Sequence, residues 1–141
     1  MILYLDTSAL VPLLVTEASS LRCRRLWDGA DLVLCSALGH VEACAALART
    51  ERSGRLSQSA LEAATHVLAD LWSDIAVVQA DELRLRAAAA VALRHGLRGY
   101  DAVHCAAALS VADEELVAAS GDQELLSAWR ADGLAVVDTN A

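Results

Sequence analysis

Apolar residues fall along this chain in two alternating patterns: short solid runs, and longer stretches in which they return every third or fourth position. The runs Ile2–Leu5, Leu32–Cys35, Ile75–Val78, Leu116–Ala119 and Ala135–Val137 read as buried strands. Between them the helical period predicts helices over Ser8 to about Val15, Ala18–Asp28, Ser36 to near Gly54, Ser57–Trp72, Asp81–His95, Tyr100–Ala112 and Gln123–Ala131. Ser36 is placed to cap the third of these, and Gly96 and Gly133 to stop two others. Strands that are solidly apolar, rather than alternating, are those covered on both faces. Five of them separated by helices predict an α/β fold built on a parallel sheet. No linker, repeat or low-complexity insert interrupts the pattern, so residues 1–141 are expected to form a single domain.

In open sheets of this class ligands bind beyond the carboxyl ends of the strands, where strand order reverses. Two aspartates, Asp6 in "YLDTSAL" and Asp122 in "VAASGDQELL", follow strands directly. Asp6 has two readings, an N-cap for the helix that follows or a metal ligand, and the first ten residues do not separate them. Asp122 shares this ambiguity, since Ser120 and Gln123 are spaced for a cap at that corner. Glu42, in "SALGHVEACAAL", falls among apolar positions Leu38, Val41, Ala45 and Ala46 of its predicted helix, where an unpaired carboxylate is costly unless its end reaches water. Asp101 opens the strongly apolar "YDAVHCAAALSV", at a first turn where the helix dipole also favours an acid. Four acids converging on one sheet edge suit hard divalent cations. Mg²⁺ and Mn²⁺ prefer oxygen ligands, and a pair of such ions about 3.5–4 Å apart can activate water for phosphoryl displacement.

Composition narrows the chemistry. All eleven basic residues are arginine, which removes phosphate loops and Schiff-base mechanisms that need lysine. It also argues against receiver-like and haloacid-dehalogenase-like phosphoryl domains, which place an aspartate after the first strand but generally rely on a lysine. The net charge of −8 opposes bulk electrostatic binding of nucleic acid, an objection that bound metal would answer locally. The four cysteines form no CxxC pair and read as reduced, buried thiols. No apolar run approaches the roughly 18 residues of a membrane span, and no basic leader opens the chain, which predicts a cytoplasmic protein.

The segments "YLDTSAL", "SALGHVEACAAL", "LRGYDAVHCAAAL" and "VAASGDQELLSAWRADGLAVVD", in this order, resemble the four acidic motifs of PIN-domain ribonucleases, and among these the VapC-type toxins of toxin–antitoxin pairs. The resemblance implies a three-layer α/β/α fold on a five-stranded parallel sheet and an endoribonuclease dependent on Mg²⁺ or Mn²⁺. Asp6, Glu42, Asp101 and Asp122 would be its catalytic metal ligands, with Ser8 and Ser120 supporting them. A metal-activated water would cleave RNA to 5′-phosphate and 3′-hydroxyl ends. The resemblance further implies a homodimer and a cognate VapB-type antitoxin, whose tail would cover apolar residues near Leu10–Val15 and Leu21–Trp27 and place an arginine or lysine among the acids. Gly121 departs from the pattern, since many members carry a bulkier residue there. The rival reading is a catalytically inactive PIN scaffold that acts as a binding partner.

Arg98, three residues before Asp101, is a candidate RNA phosphate contact. Arg49, Arg52 and Arg55 suit the end of the Glu42 helix for dipole reasons alone. His104, one turn after Asp101, reads as a buried histidine lying behind the acids, while His40, His66 and His95 carry no expected role.

Overall fold

The computed structural model describes residues 1–141. Strands β1 (Ile2–Leu5), β2 (Leu32–Ser36), β3 (Ala76–Val78), β4 (Leu116–Ser120) and β5 (Ala135–Asp138) form one sheet in the order β3-β2-β1-β4-β5, every neighbouring pair parallel. The helices are α1 (Thr7–Leu10), α2 (Ser20–Gly29), α3 (Leu38–Arg52), α4 (Gln58–Asp74), α5 (Glu82–His95), α6 (Gly99–Ser110) and α7 (Gln123–Ala131). The α/β architecture expected from the periodicity is therefore present.

Successive strand residues point to opposite faces, and this alternation divides the core in two. Leu3, Leu5, Val33, Cys35 and Ala119 pack under α1 to α4, whereas Tyr4, Ala118 and Leu116 pack under α5 to α7 with Trp129. The three layers follow from this division. The chain leaves the central β1 towards β2 and β3 with its helices on one face. It then crosses back to β4 and β5 with helices on the other, the arrangement that right-handed crossovers demand. The reversal of strand order lies between β1 and β4, so Asp6 and the Ser120–Asp122 corner end up side by side.

Local chemistry sets most boundaries. Ser57 and Asp81 cap α4 and α5 by accepting from the Ala60 and Arg84 amides, and Gly96 takes φ 68° to stop α5. The helix expected from Ser8 to Val15 is shorter: α1 ends at Leu10 and a 3₁₀ turn follows over Val11–Leu13, because Pro12 lacks the N–H that would continue the α ladder. The face expected for α3 also differs. Its buried positions are Gly39, Ala43 and Leu47, while Val41 and Ala45 are exposed. At Gly39 an added Cβ would run into the Cys35 sulfur, so close approach to the sheet fixes the Gly39–Ala43–Leu47 face as the seated one. All four cysteines are free, and only Cys44 is not fully buried.

Candidate active site

At the end of β1 the backbone of Asp6 is extended (φ −83°, ψ 175°), and its carbonyl accepts from the Ala9 and Leu10 amides at 3.1 Å each. Its side chain caps nothing. The carboxylate instead accepts from Ser8 Oγ at 2.7 Å, and that hydroxyl accepts from the Gly121 amide at 2.8 Å. Ser120 Oγ lies 3.3 Å from Ser8 Oγ and accepts from the Asp122 amide at 2.9 Å. Two serines thus lace the end of β1 to the end of β4. Asp6 is only 4% exposed, and burial pushes its carboxyl from the ordinary 3.8 up to about 6, against the opposing pull of the His104 ring and the two serine hydroxyls.

Glu42 sits on α3 facing the same strand ends. Its Oε1 accepts from Thr7 Oγ1 at 2.8 Å and lies 2.6 Å from His104 Nε2. The other ring nitrogen, Nδ1, lies 2.8 Å from the Tyr4 hydroxyl. Partial burial pushes the Glu42 carboxyl up, but the hydrogen bonds from His104 and Thr7 more than offset it and hold it below the ordinary value. Tyr4 is wholly buried, and its phenol stands well above its usual range.

Asp101 opens α6, and its carboxyl is raised by burial first and by the nearby negative Asp122 second, with Arg98 and His104 opposing. Arg98 Nε stands 3.6 Å from Asp101 Oδ2, a loose contact for a side chain that is 82% exposed. Asp122 is the N-cap of α7, its Oδ1 accepting from the Glu124 and Leu125 amides at 2.9 and 3.3 Å. The capping reading of this residue is right, although the capping atom is its own carboxylate and not Ser120 Oγ. A cleft of about 600 Å³ opens beside these acids, lined by Thr7, Glu42, Arg49, Arg98, Tyr100 and Asp101 among others.

A family model described as "PIN domain" matches residues 3–128. The chain belongs to the PIN-domain family. Two curated proteins of Mycobacterium tuberculosis, Ribonuclease VapC45 and Ribonuclease VapC49, are each 40% identical to it over 135 residues, covering 96% of this chain and 94% of theirs. Among solved structures, M. tuberculosis VapC20, described as a sarcin-ricin loop cleaving toxin, superposes with a TM-score of 0.69 at 20% identity, covering 96% of this chain and 97% of that one. The DNA-bound VapBC of Salmonella typhimurium gives a TM-score of 0.65 at 16% identity, covering 99% and 98%.

Within this PIN domain Asp101 feels the charges of Asp122 and Glu42, but the four acids are not closed on one point: no three His, Cys, Asp or Glu side chains stand as a ready-made metal nest. The donor chemistry nonetheless fits a hard cation. Every candidate ligand is a carboxylate, and Oε2 of Glu42 and Oδ2 of Asp122 accept no hydrogen bond. Asp6 carries its burial without a cationic hydrogen-bond partner. Thr7 and Tyr4 are the site neighbours that sequence reasoning missed. "DTS" offers two successive hydroxyls, and only the first turn of α1 reveals that Thr7 serves Glu42 while Ser8 serves Asp6. Arg49 lines the cleft as well as ending α3, and His95, which had no expected role, pairs with Asp132 at 3.0 Å.

Proposed function

We propose that this PIN domain is an endoribonuclease toxin of the VapC type, dependent on Mg²⁺ or Mn²⁺ and silenced by a small antitoxin. The observation that carries the reading is electrostatic. Burial raises Asp6 and Asp101 above their ordinary range, Asp101 also feels the charge of Asp122, and neither has a close cationic partner beyond the loosely placed Arg98. The 40% identity to curated ribonucleases supports the RNA assignment. Asp6, Glu42, Asp101 and Asp122 would hold the divalent cation, which when bound would supply the charge that makes water nucleophilic at neutral pH and that offsets charge gathering at phosphorus. The chain does the rest. Ser8 and Ser120 fix Asp6 against the end of β4, Thr7 and His104 keep Glu42 ionised, and Arg98 and Arg49 meet phosphate oxygens along the cleft.

The test is cleavage of cellular RNA by purified protein with EDTA, Mg²⁺ or Mn²⁺ present. Cutting is expected only with the ions and not by Asp101→Asn. Equal cutting in EDTA would sink the metal requirement, and ion binding without any cutting would favour the inactive scaffold.

The expected antitoxin surface is partly redrawn. Leu10 is wholly buried in the core and so is not available to a partner, whereas Leu13, though mostly buried, lines the groove above it. This groove, of about 840 Å³, is walled by Pro12, Leu14, Val15 and Leu21 on one side and by Ala63 and Val67 of α4 on the other. An amphipathic helix of the antitoxin would lie here, and its basic tail residue would reach the acids. Inhibition should then weaken as Mg²⁺ rises and fail when that residue becomes alanine. A second copy of the chain would be received by α5, whose Leu83, Ala87, Ala90 and Leu93 form an uncovered stripe, Leu93 being 89% exposed. No helix is long and apolar enough to cross a membrane, in keeping with action in the cytoplasm.

A further inference from the structure

His104 is 1% exposed and polar, on a helix whose other buried residues are alanines and Cys105, and lies edge-on to the Tyr4 ring. A buried imidazole is tolerated when both nitrogens are satisfied, and here both are: Nδ1 by the Tyr4 hydroxyl at 2.8 Å and Nε2 by Glu42 Oε1 at 2.6 Å. The directions of these bonds can be deduced. A tyrosine phenol carries its hydrogen at neutral pH, and Nδ1 is the one side-chain acceptor within reach of it, so the phenol donates to Nδ1. The ring hydrogen then resides on Nε2 and points at Glu42. Thr7 Oγ1 donates to the same oxygen, and Nε2 lies 3.3 Å from that hydroxyl.

The asymmetry at Glu42 is the informative feature. A carboxylate retained for stability alone would do best with its donors shared between two oxygens, yet both donors sit on Oε1 and none on Oε2. Resting on the metal-site reading above, we propose that His104 is a positioning residue that fixes Glu42 as a one-oxygen ligand, with Oε1 pinned by His104 and Thr7 and Oε2 turned to the cation. The chain is economical in how it does this. His104 lies one helical turn after Asp101 on α6, its anchor Tyr4 lies two residues before Asp6 on β1, and Thr7 follows Asp6 directly. One imidazole therefore ties together the elements that carry three of the four acids. An outer hydrogen bond of this kind to a metal ligand is commonly worth about 10–100-fold in metal affinity.

Two amides separate this role from simple core filling. In His104→Gln the terminal amide occupies the place of Nε2 and can still donate to Glu42. In His104→Asn the amide sits where Nδ1 was, keeping the Tyr4 partner and losing Glu42. Mn²⁺ affinity, measured on the purified protein by electron paramagnetic resonance of the free ion, is the primary readout. Apo-protein melting temperature and RNA cleavage are followed beside it. His104→Gln should bind Mn²⁺ within about threefold of wild type, and His104→Asn about tenfold or more weakly, although both lose some melting temperature. Equal Mn²⁺ affinity in wild type and both variants, or losses that merely track melting temperature, would overturn the positioning role while leaving the metal site standing. Wild-type protein that binds no Mn²⁺ would overturn both readings together.

Discussion

Two aspartates in this molecule show opposite electrostatic designs. Asp132 lies where the C-terminal ends of α5 and α7 meet, with Arg94 at 2.8 Å and His95 at 3.0 Å. The hydrogen bond from Arg94, chiefly, draws its carboxyl below the ordinary range. Asp6 is more deeply buried, receives hydroxyls and no cation, and is pushed up to about 6. The chain has eleven arginines and spends them elsewhere, the nearest to the acid cluster being the loosely placed Arg98. A fold selected for stability alone would treat Asp6 as it treats Asp132. Leaving it unneutralised makes sense when the missing charge is to arrive as a ligand, at some cost in stability until it does.

The comparison is broken most severely by removing charge among the acids proposed to hold the ion. Asp101→Asn should lower RNA cleavage by at least about a hundredfold, the scale on which loss of one transition-state-stabilising group is felt. Asp132→Asn should leave cleavage at the wild-type level in the same assay. Thermal melting of the metal-free protein sharpens the contrast, because the two substitutions should act with opposite sign. The pKa of Asp6 is higher folded than unfolded. Its contribution is therefore complete below about pH 4 and is lost as pH rises through about 6, so at pH 7 the buried charge costs up to about 3 kcal/mol. Asp6→Asn should accordingly raise the melting temperature at pH 7, with the gain shrinking towards pH 4. Asp132 is lowered by folding and stabilises above its unfolded pKa. Asp132→Asn should lower the melting temperature by a few degrees at pH 7, and that deficit too should fade on acidification.

A smaller effect is expected at the corner after β4. Asp122→Asn should reduce cleavage less than Asp101→Asn and be partly rescued by excess Mn²⁺, since an asparagine oxygen can still cap α7 through the Oδ1 position. Comparing kcat/KM in Mg²⁺ and in Mn²⁺ checks this. The least costly change is Gly121→Ala. An added Cβ would stand 2.8 Å from Asn140 Nδ2, displacing a side chain that donates to the Gly121 carbonyl at 3.1 Å. Because Asn140 is exposed and can swing away, while the buried Thr139 Oγ1 at 3.2 Å need yield only slightly, the expected loss is about 1 kcal/mol by denaturant titration. The same contact accounts for the small residue at this position: Asn140 fills the space that a bulkier side chain would take.

The element order was legible from periodicity because parallel strands buried on both faces leave solid apolar runs, and α7 was delimited to the residue by its flanking Asp122 and Gly133. The face of α3 was not legible. Apolar spacing around Glu42 pointed to Leu38, Val41, Ala45 and Ala46, whereas close approach at Gly39 seats the Gly39–Ala43–Leu47 face, and steric room is not written in hydrophobicity. The acids stood out because carboxylates are rare in apolar surroundings. Thr7 and Tyr4 did not, since a hydroxyl beside an aspartate and a tyrosine in a strand are both ordinary until α6 brings His104 across 97 and 100 residues to meet them.

Trp129 closes this chain of contacts on its far side. It is fully buried, lies edge-on to Tyr4 with ring centroids 5.8 Å apart, and its indole N–H has no hydrogen-bond partner. Such an indole emits at the blue end of its range, and its quantum yield depends on the orientation of the phenol beside it. With Trp27 and Trp72 changed to phenylalanine, the remaining fluorophore would be coupled through Tyr4 and His104 to Glu42. Its emission would therefore report on the packing of the Tyr4 ring that anchors His104 and, through it, Glu42.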